Sequence, residues 1–280
     1  MAAKPAVIIV AGAWHVPETY SKVTKALESA GYEVYVPLLP TMNGSRPPNG
    51  DMLSDAECVR ACAEKLADAG RQIIAIMHSY GGLPGTQGLH GLGFDTRAAK
   101  GLGGGVVRLV YMAAHGLNEG VSIWDKISEF DEGSAYESAY DFAEDGFCAC
   151  RDYKAGLLTN AHGVMNQNTA TDEEVDAYMS TLVPCNGKAF WQPLTQCAWR
   201  DIPVTFIYTR DDIAPPFYFQ VSNVYYMRGA GRDVDTYEIK SGHLPHLTNT
   251  PEVVAIIEAI TEQVANGVKT FDTKVKRISA

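Results

Sequence analysis

Gln72-Ile73-Ile74-Ala75-Ile76-Met77-His78-Ser79-Tyr80-Gly81-Gly82 decides the fold. Ile73 to Met77 is a short apolar run rich in β-branched residues, which suits a buried strand. The two glycines that follow allow a tight turn, and the next segment has a helical pattern. Ser79 therefore sits at the tip of a strand–turn–helix bend. Strain at such a bend pushes the serine Oγ out of the sheet edge. It also leaves the next backbone N–H free near a helix N-terminus. A serine used as a nucleophile needs a base, an orienting acid, an oxyanion site and a pocket, and the rest of the chain can be searched for each.

Upstream, Val7 to Val10 is a buried-type strand that runs into the small-residue loop Ala11-Gly12-Ala13-Trp14-His15. Pro17 and Glu18 open a helix whose Tyr20, Val23 and Leu27 keep helical spacing up to the stop at Gly31. Glu33 to Leu39 reads as a second strand ending at Pro40, and residues 41 to 50 as a loop. Asp51 caps a helix running to about Gly70. Beyond the Ser79 turn the helix extends to about Leu89. Residues 91 to 105 are rich in glycine, but they precede the strand Val106 to Ala113 instead of following one, and no GK[ST] is present. They read as a flexible lead-in, not a phosphate loop.

This β-α alternation predicts an α/β fold with a mostly parallel, twisted sheet and helices on both faces. It breaks between residues 117 and 200, where no strand pattern is visible. Helix-like pieces fall around 121–130, 134–144, 151–159, 171–182 and 188–198, with many aromatic residues among them. An insertion after a sheet strand lies where strand ends form ligand crevices, so it reads as a helical lid. The alternation then resumes with the strand Val204 to Thr209, the loop Arg210-Asp211-Asp212 and a helix from Pro216 to about Met227. Asp233 to Ile239 is the next strand, Ser241-Gly242-His243 the next turn, and Pro251 to about Asn266 an amphipathic closing helix. The expected organisation is a core of residues 1–116 and 200–268, a lid of 117–199, and a polar, Lys-rich tail of 269–280.

Bulk properties narrow the function. The chain has 280 residues, 46% hydrophobic and 20% charged, which is ordinary globular composition. A net charge of −10 without a basic cluster argues against nucleic-acid binding, which needs clustered Lys and Arg. No apolar run approaches the length of a membrane span or a signal segment. Cys58 and Cys62 lie four apart on an expected helix and read as core packing. Cys148-Ala149-Cys150 lacks the second ligand pair of a metal site. The six cysteines are expected as free thiols in a reducing, cytoplasmic setting.

Ser79, the Asp211/Asp212 pair and His243 each follow an expected parallel strand. All such strand ends share one sheet edge, so the three converge there. Their order, Ser then Asp then His, matches one fold solution for a nucleophilic relay. Together with Ala11–His15 after the first strand, the Met77–Gly82 elbow, Asp212 to Pro216, and Ser241-Gly242-His243-Leu244-Pro245, these motifs make the chain resemble an α/β-hydrolase. The resemblance covers roughly residues 5 to 116 and 200 to 266, and is strongest to the small-lid group of esterases and hydroxynitrile lyases.

The resemblance implies Ser79 as nucleophile, His243 as base and Asp212 as acid, with Asp211 the competing carboxylate. It implies an oxyanion hole from the backbone N–H groups of Ala13 and Tyr80. Trp14, His15, His78 and Trp191 stand as candidate substrate contacts, with a structural hydrogen bond the competing role for His15 and His78. Two positions depart from the family pattern. Met77 stands where a small residue is usual and must find room beneath the turn. Ala11 stands where many relatives carry His, which removes a side-chain hydrogen bond but no N–H.

The expected reaction is hydrolysis of an ester or lactone of an apolar, aromatic or polyketide-like small molecule through an acyl-enzyme. No metal or organic cofactor is expected, nor a nucleic-acid or membrane partner, and the chain is compatible with a homodimer. A lyase or carbon–carbon hydrolase would use the same site, and a non-catalytic receptor the same scaffold. Gly12 and the lack of a lysine beside His243 weigh against the hydroxynitrile lyase version.

Overall fold

The apolar β-branched runs become strands and the amphipathic segments between them helices. β1 (Ala6–Val10), α1 (Ser21–Ser29), β2 (Val34–Tyr35), α2 (Met52–Asp68), β3 (Gln72–His78), α3 (Gly82–Gly88), α4 (Phe94–Ala98) and β4 (Gly105–Met112) follow in order. The chain then makes a long excursion through α5 (Ile123–Glu129), α6 (Gly133–Ala139), β5 (Tyr140–Phe142) and β6 (Phe147–Cys150). The excursion continues with α7 (Tyr153–Leu158), α8 (Asp172–Met179) and β7 (Cys185–Asn186). β8 (Val204–Thr209), α9 (Phe217–Gly229), β9 (Val234–Ile239), α10 (Pro245–Thr248), α11 (Thr250–Ala265) and β10 (Lys276–Arg277) complete it. The structure is a computed structural model and describes residues 3–159, 164–165, 168–268 and 276–277.

Seven strands form one sheet in the order β10-β9-β8-β4-β3-β1-β2, and every neighbouring pair in it is parallel. All five residues of β1 and all six of β8 are buried, as expected of strands covered on both faces. The sequential crossovers leave the C-terminal ends of β1, β3, β4, β8 and β9 side by side on one edge. The α/β-hydrolase expectation from the sequence is met in this core. Among the described residues, no helix is long and apolar enough to cross a membrane. The six cysteines are free thiols.

Four segments differ from the sequence reading. The second strand is two residues long, not seven, because Pro37 and Pro40 remove the N–H donors a longer ladder needs. The glycine-rich stretch is not a plain lead-in. It contains α4, anchored by Arg97, which donates to the Gly103 carbonyl at 3.1 Å and to Asp68 at 2.8 Å. The 117–199 excursion is not purely helical, since β5, β6 and β7 pair as a small antiparallel sheet. The expected helix over 134–144 therefore ends at Ala139 and continues as β5. In the tail, Lys276 and Arg277 add a strand beside Tyr237 and Glu238, while residues 269–275 and 278–280 lie outside the described ones.

Room for Met77 comes from Gly85. A Cβ at Gly85 would lie 2.4 Å from Met77 Sδ, so this helical position has to stay bare for the large elbow residue. Gly85→Ala is expected to lower stability by about 1–3 kcal/mol through overpacking, read as a lower urea midpoint. An unchanged midpoint would mean that Met77 repacks freely.

Candidate active site

Ser79 follows β3 and adopts φ of 54°, a left-handed conformation that costs a non-glycine residue energy. The flanking glycines permit the bend. A Cβ at Gly81 would lie 2.3 Å from the Val10 carbonyl oxygen, and one at Gly82 only 2.2 Å from that of His115. The turn can thus press against the ends of β1 and β4 only with glycine at both positions.

His243, on the loop after β9, meets this serine. Ser79 Oγ lies 2.9 Å from His243 Nε2, and His243 Nδ1 lies 3.0 Å from Asp212 Oδ2. With the proton on Nδ1 facing the carboxylate, Nε2 is the acceptor for the serine hydroxyl. Asp212 follows β8 and is itself held rigidly. Its Oδ2 also accepts from Thr209 Oγ1 at 2.9 Å and Gln220 Nε2 at 3.1 Å, and its Oδ1 accepts the Ala214 N–H at 2.8 Å. The carboxylate facing His243 is thus that of Asp212. Asp211 is tied instead through its backbone N–H to the Ser241 carbonyl at 3.0 Å.

Ala13 and Tyr80 line the same cavity as Ser79. Ala13 lies in a turn closed by the His15 N–H on the Gly12 carbonyl at 3.3 Å, with Trp14 at φ of 68°. Tyr80 belongs to the short helical turn Ser79–Gly81, whose first N–H groups have no partner within the turn. Its ring lies 5.9 Å from that of Phe190, and its hydroxyl donates to Asp55 Oδ2 at 2.7 Å. Burial pushes the Asp55 carboxyl up to about 6, opposed by its hydrogen bonds from Thr41 and Tyr80.

Four substrate contacts were expected, and the structure brings only Trp14 to the cavity wall. Trp14 packs on Tyr140 at 4.9 Å and donates its indole N–H to the Cys148 carbonyl at 3.2 Å, joining the first loop to the excursion. His78 is completely buried behind the elbow, because successive side chains along a strand point to opposite faces. Its Nε2 donates to the His243 carbonyl at 2.9 Å, and its Nδ1 accepts from Tyr20 at 2.8 Å. The Tyr20 oxygen in turn accepts the Gly12 N–H at 2.9 Å. His78 therefore straps the first loop to the base loop. His15 turns inward too, donating from Nδ1 to the Ala13 carbonyl at 2.5 Å. Trp191 is 43% exposed and stacks on the outer side of Trp124 at 4.6 Å.

His15, His78 and His246 each bring one potential ligand atom within 4.8 Å of the others. Both nitrogens of His78 are committed, His246 Nε2 meets the Tyr178 hydroxyl at 2.7 Å, and His15 Nδ1 meets a carbonyl. Two nitrogens remain, fewer than the three or four protein ligands typical of zinc, so the trio does not fit a metal centre. Burial drives the His15 imidazole down to about 3 and those of His78 and His246 well below their usual value.

The cavity over Ser79 is narrow, about 30 Å³, and is walled by aromatic rings from the excursion, including Trp124, Tyr136, Tyr140 and Phe190. A wider cleft of about 430 Å³ adjoins it, sharing Tyr136, Tyr140 and Ala214. The sequence reading missed His115, which also lines the cavity. Its signal was its place just after β4, on the same sheet edge as the other turns. Burial lowers the His115 imidazole to about 3, with smaller effects from His243 and Lys126.

A serine, an imidazole and a carboxylate in hydrogen-bonded series at the C-terminal edge of a parallel sheet define the class. The model of the alpha/beta hydrolase family matches residues 7–256. The chain belongs to that family and is a hydrolase enzyme. It is 29% identical over 262 residues to "Alpha/beta hydrolase nvfD" of Aspergillus novofumigatus, covering 91% of this chain and 95% of that protein. It is 28% identical over 256 residues to "Probable hydrolase R7" of a Phoma species, covering 87% of this chain and 92% of that one. Among solved structures, polyneuridine aldehyde esterase superposes with a TM-score of 0.69 at 17% identity, covering 92% of this chain and 99% of that one. The pyrethroid hydrolase of Sphingobium faniae gives 0.66 at 19% identity, covering 94% and 99%. These structural likenesses concern the fold.

Proposed function

We propose that the protein hydrolyses a carboxylic ester or lactone of an aromatic or polyketide-like small molecule through an acyl-enzyme on Ser79. The observation that carries this reading is the Ser79–His243–Asp212 series, with hydrogen bonds of 2.9 and 3.0 Å, facing an aromatic cavity. His243 takes the Ser79 proton as Oγ attacks the carbonyl carbon. The Ala13 and Tyr80 N–H groups receive the developing oxyanion. His243 then protonates the leaving alkoxide, which in a lactone stays attached to the acyl chain. Water, deprotonated by the same imidazole, releases the acid and restores the serine. Asp212 holds the imidazole tautomer and favours its transient cation. Residues 117–199 act as a lid that keeps bulk water from the acyl-enzyme.

Intact-protein mass spectrometry tests the reading. After incubation with a fluorophosphonate, or with aryl esters and lactones quenched in acid, one adduct is expected, mapping to Ser79. Ester turnover with Ser79 unlabelled by either reagent would overturn the acyl-enzyme.

A further inference from the structure

His115 and Tyr136 have no part in the relay, yet both line the cavity that contains Ser79. His115 is pinned against the elbow, its backbone N–H donating to the Ser79 carbonyl at 3.2 Å. The residue is only 5% exposed, and its Nδ1 is buried without a hydrogen-bond partner. The Tyr136 hydroxyl is likewise buried and unpartnered. Leaving a buried polar atom unsatisfied is unfavourable, so two such atoms on residues of one cavity mark a place where a ligand completes the hydrogen bonding. The remaining wall offers rings and aliphatic carbons from Trp14, Ile123, Trp124, Ile127, Tyr140 and Phe190, and no charged side chain lines it.

We propose that this cavity selects neutral substrates that carry a second oxygen function, a hydroxyl or a ketone, a few bonds from the scissile carbonyl, and that His115 and Tyr136 receive it. A neutral imidazole can donate or accept, and a phenol can do either, so both functions are served. A carboxylate is disfavoured because it would enter the cavity without a counter-charge. The two residues are thus specificity-determining. The inference rests on the hydrolase reading for the position of the scissile carbonyl, but its test measures binding and not turnover.

The Ser79→Ala protein is titrated calorimetrically with 4-phenylbutan-2-one and its 3-hydroxy and 4-hydroxy derivatives. One hydroxy ketone is expected to bind about three- to tenfold tighter than the parent, the worth of one net hydrogen bond. In Ser79→Ala/His115→Phe that preference disappears while the parent ketone still binds. Ser79→Ala/Tyr136→Phe removes a single oxygen, keeps the ring, and is expected to reduce the same preference. The proposal is overturned if no probe binds, if the three bind within twofold of one another, or if the preference survives in both double variants. Fluorophosphonate labelling of the wild-type protein reports separately on the acyl-enzyme, so the two readings can fail independently.

Discussion

Replacing Ser79 by alanine is expected to reduce kcat on p-nitrophenyl esters by at least about 10⁴-fold. The variant loses the attacking oxygen and keeps the oxyanion donors and the cavity, so a small residual rate over water remains. Folding should be little affected, because alanine fills the same left-handed position and only one hydrogen bond, to His243, is lost. Asp212→Asn should cost about 10⁴-fold as well. An amide there presents a donor or a neutral acceptor to His243 Nδ1, and neither holds the tautomer that leaves Nε2 ready for the Ser79 proton. Asp211→Asn, one residue earlier, should leave kcat within about twofold. Initial rates with circular dichroism spectra of each variant check all three. If Ser79→Ala keeps a tenth of the wild-type rate, the relay is not the route to hydrolysis.

Stability should fall steeply with acid. His15, His78, His115 and His246 are buried neutral, and their imidazoles are held far below 6.5, chiefly by desolvation. In the unfolded chain each returns to about 6.5. Below that pH the unfolded state binds protons that the folded state refuses, so the stabilisation is present above about 6.5 and is lost as pH falls toward 3. Each group contributes a slope of about 1.4 kcal/mol per pH unit. Asp55 works in the opposite direction. Its folded-state value, raised to about 6, makes the folded state take up a proton first, which adds stability as pH falls from 6 toward its unfolded value. His15 and His115, both near 3, against the one carboxyl leave a net loss of about 1.4 kcal/mol per pH unit between pH 6 and 4, and His78 and His246 add to it in the same direction. Urea midpoints at pH 7, 6, 5 and 4.5 measure it, and midpoints that stay level below pH 6 would show that the histidines protonate without unfolding.

Much of the core was legible because its signals are local. β1, β3, β4, β8 and β9 are short runs rich in β-branched residues, and each is followed within four residues by a glycine or an aspartate where a turn must form. A parallel sheet brings those turns to one edge, which is enough to expect Ser79, an aspartate and His243 to meet. Where two neighbours competed, the resemblance favoured Asp212, but the physical reason lies outside the local sequence. Asp212 rather than Asp211 faces His243 because Thr209, Gln220 and the Ala214 N–H grip its carboxylate, and Gln220 lies eight residues away on α9. The small sheet of β5, β6 and β7 was invisible for a related reason. Its strands are two to four residues long, and Cys148 pairs with Cys185 across a long intervening stretch.

The amino-acid sequence by itself determined the strand–turn–helix elbow at Ser79, the alternation that builds the sheet, and the order of serine, acid and base, since each depends on backbone preference over a few residues. Only the tertiary structure decided which way the side chains face. It turned His78 and His15 inward as struts, set Met77 into the space left by Gly85, and brought His115 to the cavity beside Ser79. Direction depends on strand pleat, packing and partners distant in the chain, and these exist only once the sheet has formed.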